Sequence, residues 1–348
     1  MKGRGNTIHV RLVGRYAFFS DQPRRLERVF PDPAPITDRL SAEYDIAAMI
    51  NLDSLTQDKK DLLATLLRAS ADANLQRRDH EEESAHRVRK AVGENNARLM
   101  EQVLRESRSL TLGWKMMPRQ RQAALDLKLV AAPGSELDTI LRELKTTKSR
   151  FSNLRQGDAP LTFASTWTLN KPSQEMFQEI VGAIESTIPA ADSDEVNAET
   201  DPVARLFRAA RATVSAGQMD FALRFLGEPG GPFVFVSALK VADGRAMTEG
   251  LEELCLYWLE SGNFEDVELN AEDYEGIRFH RLDMKEEGDD FDGLYGGTPS
   301  MFLGVGNDTL WVAVGGDQAV PRLFDEIDAV QQPVEPSRLS EPLQFVIN

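Results

Sequence analysis

MFLGVGNDTLWVAVGGDQAVPRLFDEI (residues 301–327) reads as two strands turned at Gly306-Asn307-Asp308, a glycine-rich exit and a short helix. The helix follows from Val320, Leu323, Phe324 and Ile327, which recur at helical spacing on one face. The same arrangement recurs near the start of the chain in HVRLVGRYAFFSDQPRRLERVF (residues 9–30). There Asp21-Gln22 matches Asp317-Gln318, and Leu26, Val29 and Phe30 supply the helical face. The echo continues into Arg39-Leu40-Ser41 before a strand ending Met49-Ile50-Asn51, against Arg338-Leu339-Ser340 before Val346-Ile347-Asn348. This predicts a repeat protein whose last unit is cut off in mid-strand.

Between these ends the chain reads as one scheme run twice. Pro31, Pro33 and Pro35 mark a linker unable to hold a helix or central strand. Residues 44–52 alternate through Ile46, Ala48, Ile50 and Leu52 as a strand, and Asp53 or Ser54 can cap the next helix. Residues 54–108 lack proline and carry Leu62, Leu63, Leu66 and Leu67 as an apolar stripe, predicting a helical hairpin with its turn within 78–95. A protruding coiled-coil-like arm is the alternative. Leu110, Leu112, Trp114 and Met116, then Leu125, Leu127 and Leu129, alternate as a hairpin with one apolar and one polar face. Pro133-Gly134-Ser135 opens a helix through Leu137, Ile140, Leu141 and Leu144.

From Leu161 the order recurs: a strand at 161–169, a helix through Met176 and Ile180, an acidic loop at 190–200, and a helix opened by Asp201-Pro202. Strands at 219–225 and 233–241 and a helix through Met247, Leu251, Leu254 and Trp258 complete it. Ala132-Pro133-Gly134-Ser135 and Ala242-Asp243-Gly244-Arg245 mark the closest internal match, with Leu141-Arg142-Glu143-Leu144 against Leu251-Glu252-Glu253-Leu254 at the same offset. Strands at 265–270 and 274–284 and an acidic glycine-rich loop at 285–298 lead back to the opening stretch. The fold class is therefore α+β: two tandem units, each a largely antiparallel sheet with helices on one face. Residues 1–155 form the first unit, with the hairpin at about 54–108, and residues 156–348 the second plus the truncated start of a third.

Composition narrows the function. A formal charge of −16 argues against sequence-independent nucleic-acid binding and against docking on an anionic membrane. No apolar run is long enough to span a bilayer, and the first residues lack the apolar core of a secretory signal. The single cysteine, Cys255, excludes an internal disulfide. P-loop, GxSxG, HExxH and CxxC motifs are absent from the sequence. His80 and His86, six apart among Glu81, Glu82 and Glu83, fall on different faces of a helix, so a solvated charged face is expected over a zinc site. Glu286, Glu287, Asp289, Asp290 and Asp292 around Gly288 and Gly293 offer oxygens to calcium, but the spacing is not that of an EF-hand, and a surface loop is expected. Cys255 falls in line with Leu251 and Trp258 and reads as a core residue rather than a nucleophile. Asp21 and Asp317 read as helix caps rather than catalytic carboxylates.

GRYAFFSDQPRRLERVF, LQRRDHEEESAHRVRKAV, LTLGWKM with LDLKLVAAPGSEL, and FLGVGNDTLWVAVGGDQAV resemble a group of uncharacterised tandem-repeat proteins of planctomycete bacteria. The resemblance implies an exported or envelope-associated protein without an assigned activity or functional residues to carry over, although members usually begin with a signal peptide. The expectation is a non-enzymatic binding or structural protein of the cell envelope, without catalytic, cofactor or metal residues, whose partner is a protein or an apolar ligand. Its contact surface would be a polar sheet face carrying Lys115, Asp126, Lys128, Asp220 and Arg224. The alternative is a carrier of an apolar ligand lined by Trp114, Trp167, Phe221 and Phe225.

Overall fold

A computed structural model describes residues 7–30, 32–118, 122–155, 159–186, 201–228, 230–262, 264–285, 290–332 and 343–347. In chain order the first part comprises β1 (His9–Val13), β2 (Tyr16–Ser20), α1 (Pro23–Leu26), α2 (Ala34–Glu43), β3 (Ile46–Asn51), α3 (Gln57–Asn74), α4 (Glu83–Glu106), β4 (Ser107–Met117), β5 (Gln122–Ala131) and α5 (Glu136–Thr146). The second part comprises β6 (Leu161–Thr168), α6 (Lys171–Glu185), α7 (Pro202–Ser215), β7 (Gln218–Leu226), β8 (Val234–Lys240), α8 (Gly244–Glu260), β9 (Asp266–Tyr274), β10 (Ile277–Asp283), α9 (Asp290–Tyr295), β11 (Ser300–Val305), β12 (Thr309–Gly315), α10 (Ala319–Gln331) and β13 (Leu343–Ile347).

The fold is α+β with antiparallel sheets. β1 and β2 make a separate hairpin, β3-β4-β5 a three-stranded sheet, and β13-β6-β7-β8-β12-β11-β10-β9 an eight-stranded sheet. β3-β4-β5 and β6-β7-β8 share strand order and each place two helices between their first and second strands. They differ in what surrounds them, since only the second group is extended by five further strands.

Both faces of the large sheet are packed. On one face α10, through Ala319, Leu323 and Ile327, meets Val236, Ala238, Trp311 and Ala313, with Phe151 and Leu154 inserted beside them. On the other, Ala209 of α7 and Met247, Leu251 and Cys255 of α8 meet Leu282, Leu303 and Val305. Residues 149–155 thus belong to the core of the eight-stranded sheet, where the Phe151 and Trp311 rings meet edge-on at 6.3 Å.

Several local expectations are corrected. The proline-rich stretch does carry a helix: Pro33 sits at the cap of α2 and Pro35 in its first turn, where a missing N–H costs no intrahelical bond. The α3–α4 turn occupies residues 75–82, and α3 starts at Gln57 because Leu52–Ser54 form a 3-10 turn ahead of it. The β9–β10 turn lies at Glu275-Gly276, later than expected, because both residues adopt the positive φ of a tight hairpin. Asp21 and Asp317 are not caps: Gln22 and Gln318 occupy those positions without side-chain capping bonds. Ser135, Asn170, Asp201 and Asp243 do cap α5, α6, α7 and α8, each accepting from an amide of the first turn.

Candidate functional site

The apolar alternation of β3, β4 and β5 builds a face that the other described residues leave open. Pairing sets Ile46 opposite Trp114 opposite Leu125, Ala48 opposite Leu112 opposite Leu127, and Ile50 opposite Leu110 opposite Leu129. Side chains opposite one another in register share a sheet face, so these nine and Met116 form one surface free of charge. Trp114 is the least exposed of its large open side chains at 39%, and Ile46 the most at 71%. Ile50, Leu112, Met116, Leu125 and Leu127 fall between them. Among the described residues, all the exposed large hydrophobic side chains except Ile184, Leu256, Leu259 and Leu294 lie within residues 8–130.

The opposite face of this sheet is packed at Thr111 and Gly113 and exposed at Lys115, Asp126 and Lys128. The Tyr44 ring lies so close over Gly113 that a Cβ there would collide with it, and Thr111 beside it is buried. The Lys128 ammonium stands 5.2 Å from the centre of the Tyr44 ring and pairs with Glu43. The hydrogen bond that Lys128 donates to Glu43 pushes the Lys128 pKa up to about 12, and the same bond holds the Glu43 carboxyl below its usual range. Asp45 Oδ2 accepts from the Met116 amide at 2.7 Å, fixing the end of β4.

The expected contact surface is split: Lys115, Asp126 and Lys128 are exposed on the three-stranded sheet, and the other two residues lie on the larger one. Asp220 and Arg224 are buried. Asp220 accepts from Ser149 Oγ and the Arg150 amide, both at 2.7 Å. Arg224 Nη1 donates to both Glu326 oxygens at 2.6 and 2.8 Å, tying β7 to α10. These polar groups are internal ties between segments distant in sequence. The four aromatic residues expected around an apolar ligand stand on two sheets. Trp114 is on the three-stranded one, while Trp167 meets Phe221 edge-on at 5.7 Å and Phe225 packs on Phe235 at 5.8 Å within the eight-stranded one.

The remaining chemical candidates separate. His80 lies exposed in the α3–α4 turn with a positive φ, whereas His86 is on α4 beside Glu81 at 3.3 Å. Arg89 also clasps Glu81 and, by that hydrogen bond first, lowers its pKa to about 2. Cys255 is fully buried, and desolvation raises its thiol pKa to about 12. His280 is buried too; its Nδ1 accepts from the Asn270 amide at 3.2 Å, and desolvation lowers its pKa. Residues 286–289 of the acidic loop lie outside the described residues, and the chain from Asp290 to Tyr295 is α9. Among the described residues, no group of three His, Cys, Asp or Glu side chains is placed to hold a metal ion.

A cleft of about 760 Å³ opens between α4, α6 and α7, lined by Glu94, Asn95, Arg98, Lys171, Glu175 and Arg211 among others. Its charges of both signs largely answer one another, with Arg98 3.8 Å from Glu175 and Arg211 paired to Glu185. No described helix is long and apolar enough to cross a membrane. No protein-family model, curated protein or solved structure matches the chain.

Proposed function

We propose that the chain is a non-enzymatic binding or structural protein of the bacterial cell envelope that engages its partner through the apolar face of β3, β4 and β5. The observation carrying this reading is the charge-free set of apolar side chains exposed around Trp114 and Leu112. At roughly 200 Å² for a fully exposed large side chain, the seven open side chains present on the order of 800 Å² of accessible area. The largest patch on a typical monomer is about 300–600 Å². Tryptophan and methionine are also enriched where proteins meet. Placement in the envelope is supported by the sequence resemblance alone.

Carbene footprinting tests both halves of the proposal. In the envelope fraction of host cells, Ile46, Leu112, Trp114, Leu125 and Leu127 should resist labelling, whereas the purified chain diluted to nanomolar concentration should label at all five. Full labelling in the native fraction would remove the face as a binding surface. Recovery of the protein in the cytosolic fraction would remove the envelope placement.

A further inference from the structure

We infer that the partner of this face is a second copy of the same chain: two three-stranded sheets stack face to face about a twofold axis. The inference rests on the binding reading above and names the occupant of the same surface.

Symmetry is the first support. In a twofold interface the same patch meets itself, so every charge near the axis would confront its own kind. The register gives Ile46, Trp114 and Leu125 in one row, Ala48, Leu112 and Leu127 in the next, and Ile50, Leu110 and Leu129 in the third. None carries a charge, and the charged residues Asp126 and Lys128 alternate onto the opposite side. The face is therefore compatible with itself as it stands.

Area is the second. A specific and stable complex buries about 800 Å² per partner, which is the order of area that this face holds open. Stacking two copies would cover it without enlarging any other part of the surface.

Shape is the third. Antiparallel sheets stack about 10 Å apart with interdigitated side chains, and the rows here set the small Ala48 opposite Leu112 and next to the row of Ile46 and the large Trp114. Within its own larger sheet the chain leaves neither packed face bare, covering one with α10 and the other with α7 and α8. The apolar face of the three-stranded sheet receives no such roof from the described residues.

The charge of the chain supplies a signature. Two bodies of formal charge −16 repel at long range, and salt screens that repulsion while leaving apolar burial intact. Dimerisation should tighten with added salt, the opposite of an interface built on ion pairs.

The test is sedimentation velocity of the full chain from nanomolar to micromolar concentration, with carbene footprinting of the same samples. The expected result is a species of twice 38.8 kDa that protects Ile46, Leu112, Trp114, Leu125 and Leu127 from labelling. Leu112→Glu and Leu127→Glu place a carboxylate at exposed positions that the monomer tolerates, and each should raise the dimer dissociation constant roughly 100-fold or more. Leu256→Glu, an exposed position on α8, should leave it unchanged. A monomer whose face labels freely would overturn the dimer and leave the binding reading standing for another partner. A monomer whose face resists labelling would overturn both, because the chain would then be covering the face itself. A dimer indifferent to Leu112→Glu and Leu127→Glu would place the interface elsewhere and overturn the inference.

Discussion

Replacing Arg224 by methionine should destabilise the protein by about 3–5 kcal/mol at pH 7, the usual cost of leaving one member of a buried ion pair without its partner. Arg224 and Glu326 are 7% and 6% exposed, and Nη1 lies 2.6 and 2.8 Å from the two carboxylate oxygens. At an effective dielectric of about 20, charges that close attract by roughly 5 kcal/mol, and desolvation takes back much of it. Desolvation is in fact the larger influence on Glu326, whose pKa lies above 4.5 despite the opposing pull of Arg224. The sign follows. A carboxyl with a raised folded pKa contributes stability that is fully present below its unfolded pKa and is lost as pH rises through the folded one. In Arg224→Met the lowering pull is gone and the folded pKa climbs further, so the deficit against wild type should be greatest at neutral pH and shrink toward pH 4.5. Urea denaturation at several pH values measures this directly. Arg224→Met with Glu326→Leu should recover most of the loss, since apolar replacement of a whole buried pair is often neutral or better. A loss under about 1 kcal/mol at pH 7, or one that does not change with pH, would refute the assignment of the pair as a buried tie.

Asp220→Ala should cost about 2–3 kcal/mol by stranding the Ser149 hydroxyl and the Arg150 amide, and hydrogen exchange should rise first in residues 149–155. Cys255 should resist a thiol reagent at pH 8 until the protein unfolds, so its labelling should follow global unfolding; rapid labelling under native conditions would contradict its burial. Glu81, with a pKa depressed to about 2, gives support that is present above 4.5 and lost as pH falls toward 2. The protection of amides in the α3–α4 turn against exchange, relative to their intrinsic rates at each pH, should therefore fall across that interval, and Glu81→Gln should abolish the change.

Local signals carried much of the architecture in the sequence. The β11–β12–α10 stretch was legible because its turn residues, strand alternation and helical spacing all agree. Ser135 and Asp201 announced α5 and α7 for the same reason. α2 was hidden because three prolines look like a breaker unless the first-turn exception is applied. The alternation in β3, β4 and β5 revealed an apolar face but not whether anything packs on it, because that depends on where the neighbouring helices come to lie. Asp220 and Arg224 looked solvated for a related reason. Their partners Ser149 and Glu326 are remote along the chain, and only the tertiary structure brings them together.

The position of β13 sets a condition on synthesis. This strand pairs in register with β6, Phe345 opposite Phe163 and Ile347 opposite Leu161, and it passes close to β5. β6 leaves the ribosome long before residues 343–347 exist. Throughout that interval its outer edge presents unpaired amides and carbonyls to any other nascent strand. Closing so long a loop is also entropically slow. A strand made late thus replaces β6 as the edge of the eight-stranded sheet, and chains stalled or cut short ahead of it leave the longer β6 as that edge.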